Sequence, residues 1–398
     1  MPNYDESKVP HFTLPSILHY GGMNVTTASQ WVNQGRARIL ELYRKEVFGR
    51  WLPRPDRIGF ETLSRRDDAL EGRAIRKEIR IILAMNDGRT HCANMLLYVP
   101  KNAQEPPPVF VSCCFKGYHA ITDEKDVLLS GGNWSANPDF KDEMRGTFAR
   151  RGAFREIVDR GYASAAVCLH DWFPDHPAGW GESALNLFGD FSKMEGTHEE
   201  YTAIGTWAWG LSRMLDVLEC EPLVDASRAM VCGHSRLGKT ALWAGANDPR
   251  FRMVISNDSG CCGAALSKRC FGETVDIITG GFPHWFVKAF HKYRNNEAAL
   301  PFDQHFLLSL AAPRPLCIAS AAEDLWADPK GEFLAAYYAG EVYQLFGSEG
   351  LGLAKPEPPA VDVFHTADIS YHNRSGKHDI TPVDWKHYMD AADRLWNR

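Results

Sequence analysis

Ser235 stands in the run Gly233-His234-Ser235-Arg236-Leu237-Gly238-Lys239. Residues 228–232 before it are apolar enough for a buried strand, and Leu237, Ala241, Leu242 and Gly245 after it recur at helical spacing. A strand that turns sharply into a helix with serine at the apex is a nucleophile elbow. The hydroxyl then projects from the carboxyl edge of a sheet, where open α/β sheets bind ligands, and the first helical N–H groups can receive an oxyanion. A side chain at position 233 would crowd that turn. The general pattern is G-x-S-x-G, and here the second glycine comes one place late. Serine before a helix is also a common N-cap. Arg236 and Lys239, two cations flanking the same mouth, favour the chemical reading.

A serine hydroxyl needs a base, usually a histidine oriented by a carboxylate. In α/β-hydrolase order the acid and then the histidine follow the serine. Of fifteen histidines, His365, His372 and His378 lie late enough, and His378 sits in the turn-like stretch Ser375-Gly376-Lys377-His378-Asp379. Two acids compete. Asp324 follows the second apolar run after the elbow (316–320) and Asp258 the first (253–257). General strand order favours Asp324, with Asp258 as the alternative, since Asp258-Ser259-Gly260 also reads as a turn. Glu323 is expected to point elsewhere. The Arg236 backbone N–H is the expected oxyanion donor, with its guanidinium adding to it.

The stretch GHSRLGK resembles the signature of the glucuronoyl esterases, carbohydrate esterase family fifteen (4-O-methyl-glucuronoyl methylesterases), and GKHDIT matches that family around His378. The likeness runs from about residue 161 to 385, through AIGTWAWGLSR, FGETVDII, FPHWF, DQHFLLSLAAPRP and ADPKGEF. That family places its triad acid at either of the two positions above. The resemblance implies that Lys239, Glu273 and Trp326 contact the hydroxyls and ring of a glucuronoyl unit. Charged partners and an aromatic wall suit a sugar acyl group, whereas a lipid chain would need an apolar tunnel. It implies no metal and no organic cofactor. It also implies action on plant cell-wall polymers, hence a secreted or periplasmic enzyme, although the amino terminus MPNYDESKVPHF lacks the basic and apolar regions of a secretory leader.

These residues need a scaffold. Residues 1–27 read as an extended arm, and Trp31, Ile39, Leu40, Tyr43 and Val47 as an amphipathic helix ending near Gly49. Runs 74–85 and 92–99, joined by the turn signal Asn86-Asp87-Gly88, predict antiparallel leading strands. After Pro106-Pro107-Pro108, strands at 109–115, 163–169, 228–232, 253–257 and 316–320 alternate with helices at 154–161, 201–218, 332–346 and 385–396. The expected fold is a single α/β-hydrolase domain over 1–398: a doubly wound, mostly parallel sheet with helices on both faces. Two long loops, about 122–147 and 171–200, are rich in Gly, Asp, Asn and aromatic residues and are expected to wall the cleft.

The chain has 398 residues, 44% of them hydrophobic, which is ample for a large core. A net charge of −6 argues against a nucleic-acid binder, and no stretch reaches the roughly 20 apolar residues of a membrane span. Ten cysteines without a C-x-x-C pair read as core thiols, with no disulfide assignable, and the sequence leaves the oligomeric state open.

The expected activity is hydrolysis of (4-O-methyl-)D-glucuronic acid esters, as in lignin–glucuronoxylan linkages. An acetyl xylan or general small-ester carboxylesterase is the alternative within the same chemistry. A catalytically inactive carbohydrate-binding protein on a hydrolase fold is the rival of another class, and the intact Ser235, His378 and two acids weigh against it.

Overall fold

A computed structural model describes residues 2–130 and 134–397, so positions 131–133 of the first long loop lie outside the described residues. Its strands are β1 (Arg57–Asp68), β2 (Ala74–Ala84), β3 (Thr90–Pro100), β4 (Val109–Cys114), β5 (Ala163–Cys168), β6 (Ala229–His234), β7 (Met253–Asn257), β8 (Leu316–Ala321) and β9 (Ile369–Arg374). They form one sheet in the order β1-β2-β3-β5-β4-β6-β7-β8-β9. The leading pairs, through β3 with β5, are antiparallel, and the pairs from β5 to β9 are parallel. This is the expected α/β-hydrolase arrangement.

The principal helices are α1 (Arg36–Tyr43), α2 (Phe154–Asp159), α3 (Ala203–Leu218), α4 (Arg236–Asn247), α5 (Pro329–Gln344) and α6 (Pro382–Trp396). The central strands show why the sequence reads as unbroken apolar runs. Val111, Val231, Val254 and Ile318 pack with residues of α3, α4 and α5 on one face. Phe110, Met230, Ile255 and Cys317 pack with Ile157 of α2 and Met389 of α6 on the other. With both faces covered, alternation disappears from the sequence.

Strand β9 and the start of helix α6 depart from expectation, while the first helix ends at Gly49 as the sequence predicts. The helix around α1 extends on both sides through wider turns at Trp31–Gly35 and Arg44–Phe48 and stops at Gly49. There φ is 83°, and a Cβ would lie 2.4 Å from the Glu200 carbonyl oxygen. Strand β9 was not anticipated, because its residues Ile369-Ser370-Tyr371-His372-Asn373-Arg374 are mostly polar, although nearly all are buried. Helix α6 begins at Pro382, earlier than its apolar stripe, because Thr381 and Asp384 form a reciprocal capping box. Cys113, Cys114, Cys261 and Cys262 are buried thiols, in line with the reading of core cysteines. No helix among the described residues is long and apolar enough to cross a membrane.

Two extended segments are tied down by buried charge. Arg76 on β2 pairs with Glu124 at 2.8 Å and Asp126 at 2.9 Å, anchoring the start of the 122–147 loop. The amino-terminal arm is also fastened. The Gly272 N–H donates to the Asn3 carbonyl (2.7 Å), Glu6 pairs with Arg269 and Lys330, and Ile17, Leu18 and Val25 are buried.

Candidate active site

Ser235 follows β6 with φ 58° and ψ −128°, a conformation an L-residue adopts at a cost of roughly 1–3 kcal/mol. Neighbouring backbone holds it there: its N–H donates to the Asn257 carbonyl at 2.8 Å, and its own carbonyl accepts from the Gly238 N–H at 2.8 Å. A Cβ on Gly233 would sit 1.8 Å from the Leu237 carbonyl oxygen, so that position admits only glycine. The displaced second glycine has an equally direct cause. Leu237 turns into the core, whereas position 238 faces the end of β7, where a Cβ would lie 2.8 Å from the Ser259 Cβ.

His378 lies on the loop between β9 and α6, and its Nδ1 is 2.5 Å from Asp324 Oδ2. Arg374 on β9 fixes that loop, donating to the Lys377 carbonyl (3.0 Å) and the Asp379 carbonyl (2.5 Å) and pairing with Asp384. The rival histidines are occupied elsewhere. His372 bonds Asp384 at 2.8 Å inside the core, and His365 contacts the Leu351 carbonyl.

Asp258 is not remote from this pair. Its carboxylate, one oxygen of Asp324 and a ring nitrogen of His378 lie within 4.8 Å of one another. The two acids nevertheless have different partners. Asp258 is 2% exposed, and Oδ1 has no hydrogen-bond partner among the described residues. Oδ2 accepts only a 3.3 Å bond from the Asp379 N–H, with Arg374 3.5 Å away. Burial, then the neighbouring carboxyls of Glu332 and Asp324, push its carboxyl well above the usual carboxylate range. Asp324 holds the bond to His378, while burial and neighbouring carboxyls favour the protonated form of Asp258 beside it. Glu323 is exposed and outside the group, as expected.

Two cavities of about 420 Å³ each meet at Ser235, Arg236 and His378. One is lined by Lys239, Glu273, Trp285, Trp326 and both acids. Lys239 is buried and donates to the Ser259 carbonyl at 2.5 Å. Burial raises the Glu273 carboxyl, and the charges of Lys239 and Arg236 and a bond from Trp326 counter part of that. Trp326 is 41% exposed, an aromatic face at the rim. The other cavity opens between the two long loops, with Phe115, Trp134, Phe148, Asp139 and Asp175 among its walls.

A family model for fungal glucuronyl esterases matches residues 170–347. Carbohydrate esterase MZ0003, from an unknown prokaryotic organism, is 40% identical over 403 residues, covering 98% of this chain and 91% of that protein. The chain belongs to carbohydrate esterase family fifteen, the glucuronoyl esterases. A glucuronoyl esterase structure from Solibacter usitatus superimposes with a TM-score of 0.91 at 38% identity, covering 98% of this chain and 100% of that one. A promiscuous family-fifteen esterase from a marine bacterial metagenome gives 0.88 at 38% identity and 99% coverage of both chains. In sequence, fungal 4-O-methyl-glucuronoyl methylesterases match over a shorter stretch. That of Wolfiporia cocos is 36% identical over 170 residues, 40% of this chain and 41% of its own.

The structure brings Ser235, Arg236, Lys239, Asp258, Glu273, Asp324, Trp326 and His378 to the lining of one cavity. It adds residues that sequence reasoning missed: His234, whose ring lies 4.5 Å from that of His378, and the group Asp175, His284 and Trp285 around Arg236. The last two stand in FPHWF, already singled out as a motif. Asp175 lies in a long loop with no local pattern to mark it.

Proposed function

We propose that this glucuronoyl esterase hydrolyses esters between the carboxyl of (4-O-methyl-)D-glucuronic acid and an alcohol, with Ser235 as nucleophile, His378 as base and Asp324 as its orienting acid. His378 Nε2 takes the Ser235 proton as Oγ attacks the ester carbonyl, and Asp324 holds the Nδ1–H tautomer and stabilises the imidazolium. The oxyanion forms beside the Arg236 N–H at the start of α4, with the guanidinium close by. The imidazolium then protonates the departing alcohol. Water, activated by the same histidine, attacks the acyl-enzyme, releasing glucuronic acid and restoring Ser235.

The observation that carries the substrate assignment is the cavity built from Lys239, Glu273 and Trp326 on one side of Ser235. Two opposite charges held apart in a partly buried site suit hydroxyls in fixed positions, and the tryptophan face suits a pyranose ring. The acyl half belongs there, which leaves the cavity between the long loops for the alcohol.

The test compares kcat/KM for benzyl and methyl glucuronate, methyl galacturonate and an acetylated xyloside on one preparation. Glucuronate esters should lead the acetylated xyloside by several orders of magnitude, since a site built around hydroxyl partners rejects ligands lacking them by factors up to about 10⁴. The galacturonate should be disfavoured by less. Equal values, or preference for the acetyl ester, overturn the assignment.

A further inference from the structure

We infer that Asp175, on the 171–200 loop, is a positioning residue that aims the Arg236 guanidinium at the oxyanion. This rests on the reading of Arg236 as an oxyanion donor. The loop would then belong to the catalytic machinery in addition to walling the cleft.

Arg236 follows the nucleophile directly, so its backbone is fixed by the elbow, but its side chain is long and would sample many rotamers in water. Here it has little freedom. Its guanidinium carbon lies 4.7 Å from the Trp285 ring centroid, 5.1 Å from Phe282 and 5.8 Å from Phe115. Phe282 and Trp285 are themselves stacked at 3.8 Å with a 6° interplanar angle, a rigid double wall. An aromatic slot restricts the plane of a guanidinium without fixing its direction within that plane. Direction comes from Asp175, whose Oδ2 accepts from Arg236 Nη1.

Asp175 is held in turn from two sides. Its Oδ1 accepts from His284 Nε2–H at 2.9 Å and from Trp285 Nε1–H at 2.7 Å, and its backbone N–H donates to His170 Nδ1 at 3.0 Å, just beyond β5. Its side chain is 7% exposed. Burial alone would raise its carboxyl, but the His284 bond and the Arg236 charge hold it well below the usual carboxylate range, so it stays ionised. A fully bonded carboxylate of this kind is a fixed anchor.

The other end of the guanidinium is unfinished. Arg236 Nε is shielded from solvent and has no hydrogen-bond partner among the described residues. The side chain as a whole is 29% exposed and lines both cavities beside Ser235, so the open edge of the guanidinium, not the shielded Nε, is what an oxygen of the reacting ester can meet. A donor oriented before the charge develops needs no reorganisation when it does.

The experiment is a double-mutant cycle between Arg236→Ala and Asp175→Asn, read as kcat and KM separately, with melting temperature as a control for folding. Arg236→Ala should lower kcat by about 10²–10³, the scale of one oxyanion donor. If it leaves kcat intact, the oxyanion reading of Arg236 fails on its own. Asp175→Asn presents an amide N–H to the guanidinium in place of an acceptor and should lower kcat by about 10² with KM changed less than about threefold. In the Arg236→Ala background the same change should cost less than about threefold more, because nothing is left to aim. Normal kcat for Asp175→Asn, or losses that multiply in full, overturn the inference while leaving Arg236 in place. Should Asp175→Asn not fold, Trp285→Phe decides. It keeps the ring over the guanidinium, removes one donor to Asp175, and should lose about tenfold in kcat only when Arg236 is present.

Discussion

Removing the Asp324 carboxylate should cripple the enzyme less than removing both acids, and the geometry sets how much less. In resting enzyme Asp324 holds His378 Nδ1 at 2.5 Å. Loss of an orienting carboxylate from a serine triad costs about 10⁴ in kcat, equivalent to about 5.5 kcal/mol. Asp258, however, presents an oxygen within 4.8 Å of the same imidazole. Its carboxyl is pushed up by burial, then by Glu332 and Asp324, so Asp324→Ala both vacates the place and eases ionisation of the substitute. Closing a gap of at most 4.8 Å to a normal hydrogen bond needs a shift of up to roughly 2 Å, and misplacement on the ångström scale costs about 10². Asp324→Ala should therefore lose about 10² in kcat, Asp258→Ala less than about fivefold, and the double variant about 10⁴. Residual activity of Asp324→Ala should climb with pH, because Asp258 orients the histidine only when ionised. Stopped assays with benzyl glucuronate across pH 5 to 9 read all three. An Asp258→Ala loss as large as that of Asp324→Ala, or a double variant no worse than Asp324→Ala, refutes this reasoning.

Ser235→Ala should fold with an unchanged melting temperature and lose at least about 10³ in rate; a rate within tenfold of the parent would end the serine mechanism. Gly238→Ala should be markedly destabilised or lose activity, since its Cβ would press on the Ser259 Cβ at 2.8 Å where Lys239 is also held; a normal melting curve and rate would show that the turn yields easily. Glu332 is buried with its carboxyl raised to about 8 from 4.5, chiefly by burial, against bonds from Ser320 and the Gly260 N–H. Between those values the folded chain keeps a proton the unfolded chain releases, so this group lowers stability as pH rises from about 4.5 to about 8. Glu332→Gln should flatten that slope in urea titrations at pH 5 and pH 8; parallel slopes for parent and variant would count against it.

What the sequence disclosed followed from how local each constraint is. The elbow was legible because strand, glycine, serine and helix are contiguous, and the late glycine became intelligible only when β7 was seen to pass against position 238. His378 could be chosen by chain order. The choice between Asp258 and Asp324 could not be closed, because β7 and β8 are neighbours and deliver both acids to one imidazole. Strand β9 escaped notice since its polar residues are satisfied by buried partners such as Asp384, which lies in another element. Asp175 escaped for the same reason: its partners come from 61 and 109 residues away.

With the sugar placed against Glu273 and Trp326 as proposed, the fastening of the arm would give the first few residues a share in substrate recognition. Asn3 accepts from the Gly272 N–H, Tyr4 packs edge-on against Phe271, and Glu6 ties Arg269 to Lys330. These contacts clamp the short turn that ends in Glu273, whose N–H in turn donates to the Trp326 carbonyl. A protease that trims the chain ahead of residue 7 would cut nothing in the triad. It would loosen the turn under the sugar, so the nicked enzyme should turn over at a near-normal rate once saturated but need more substrate to get there.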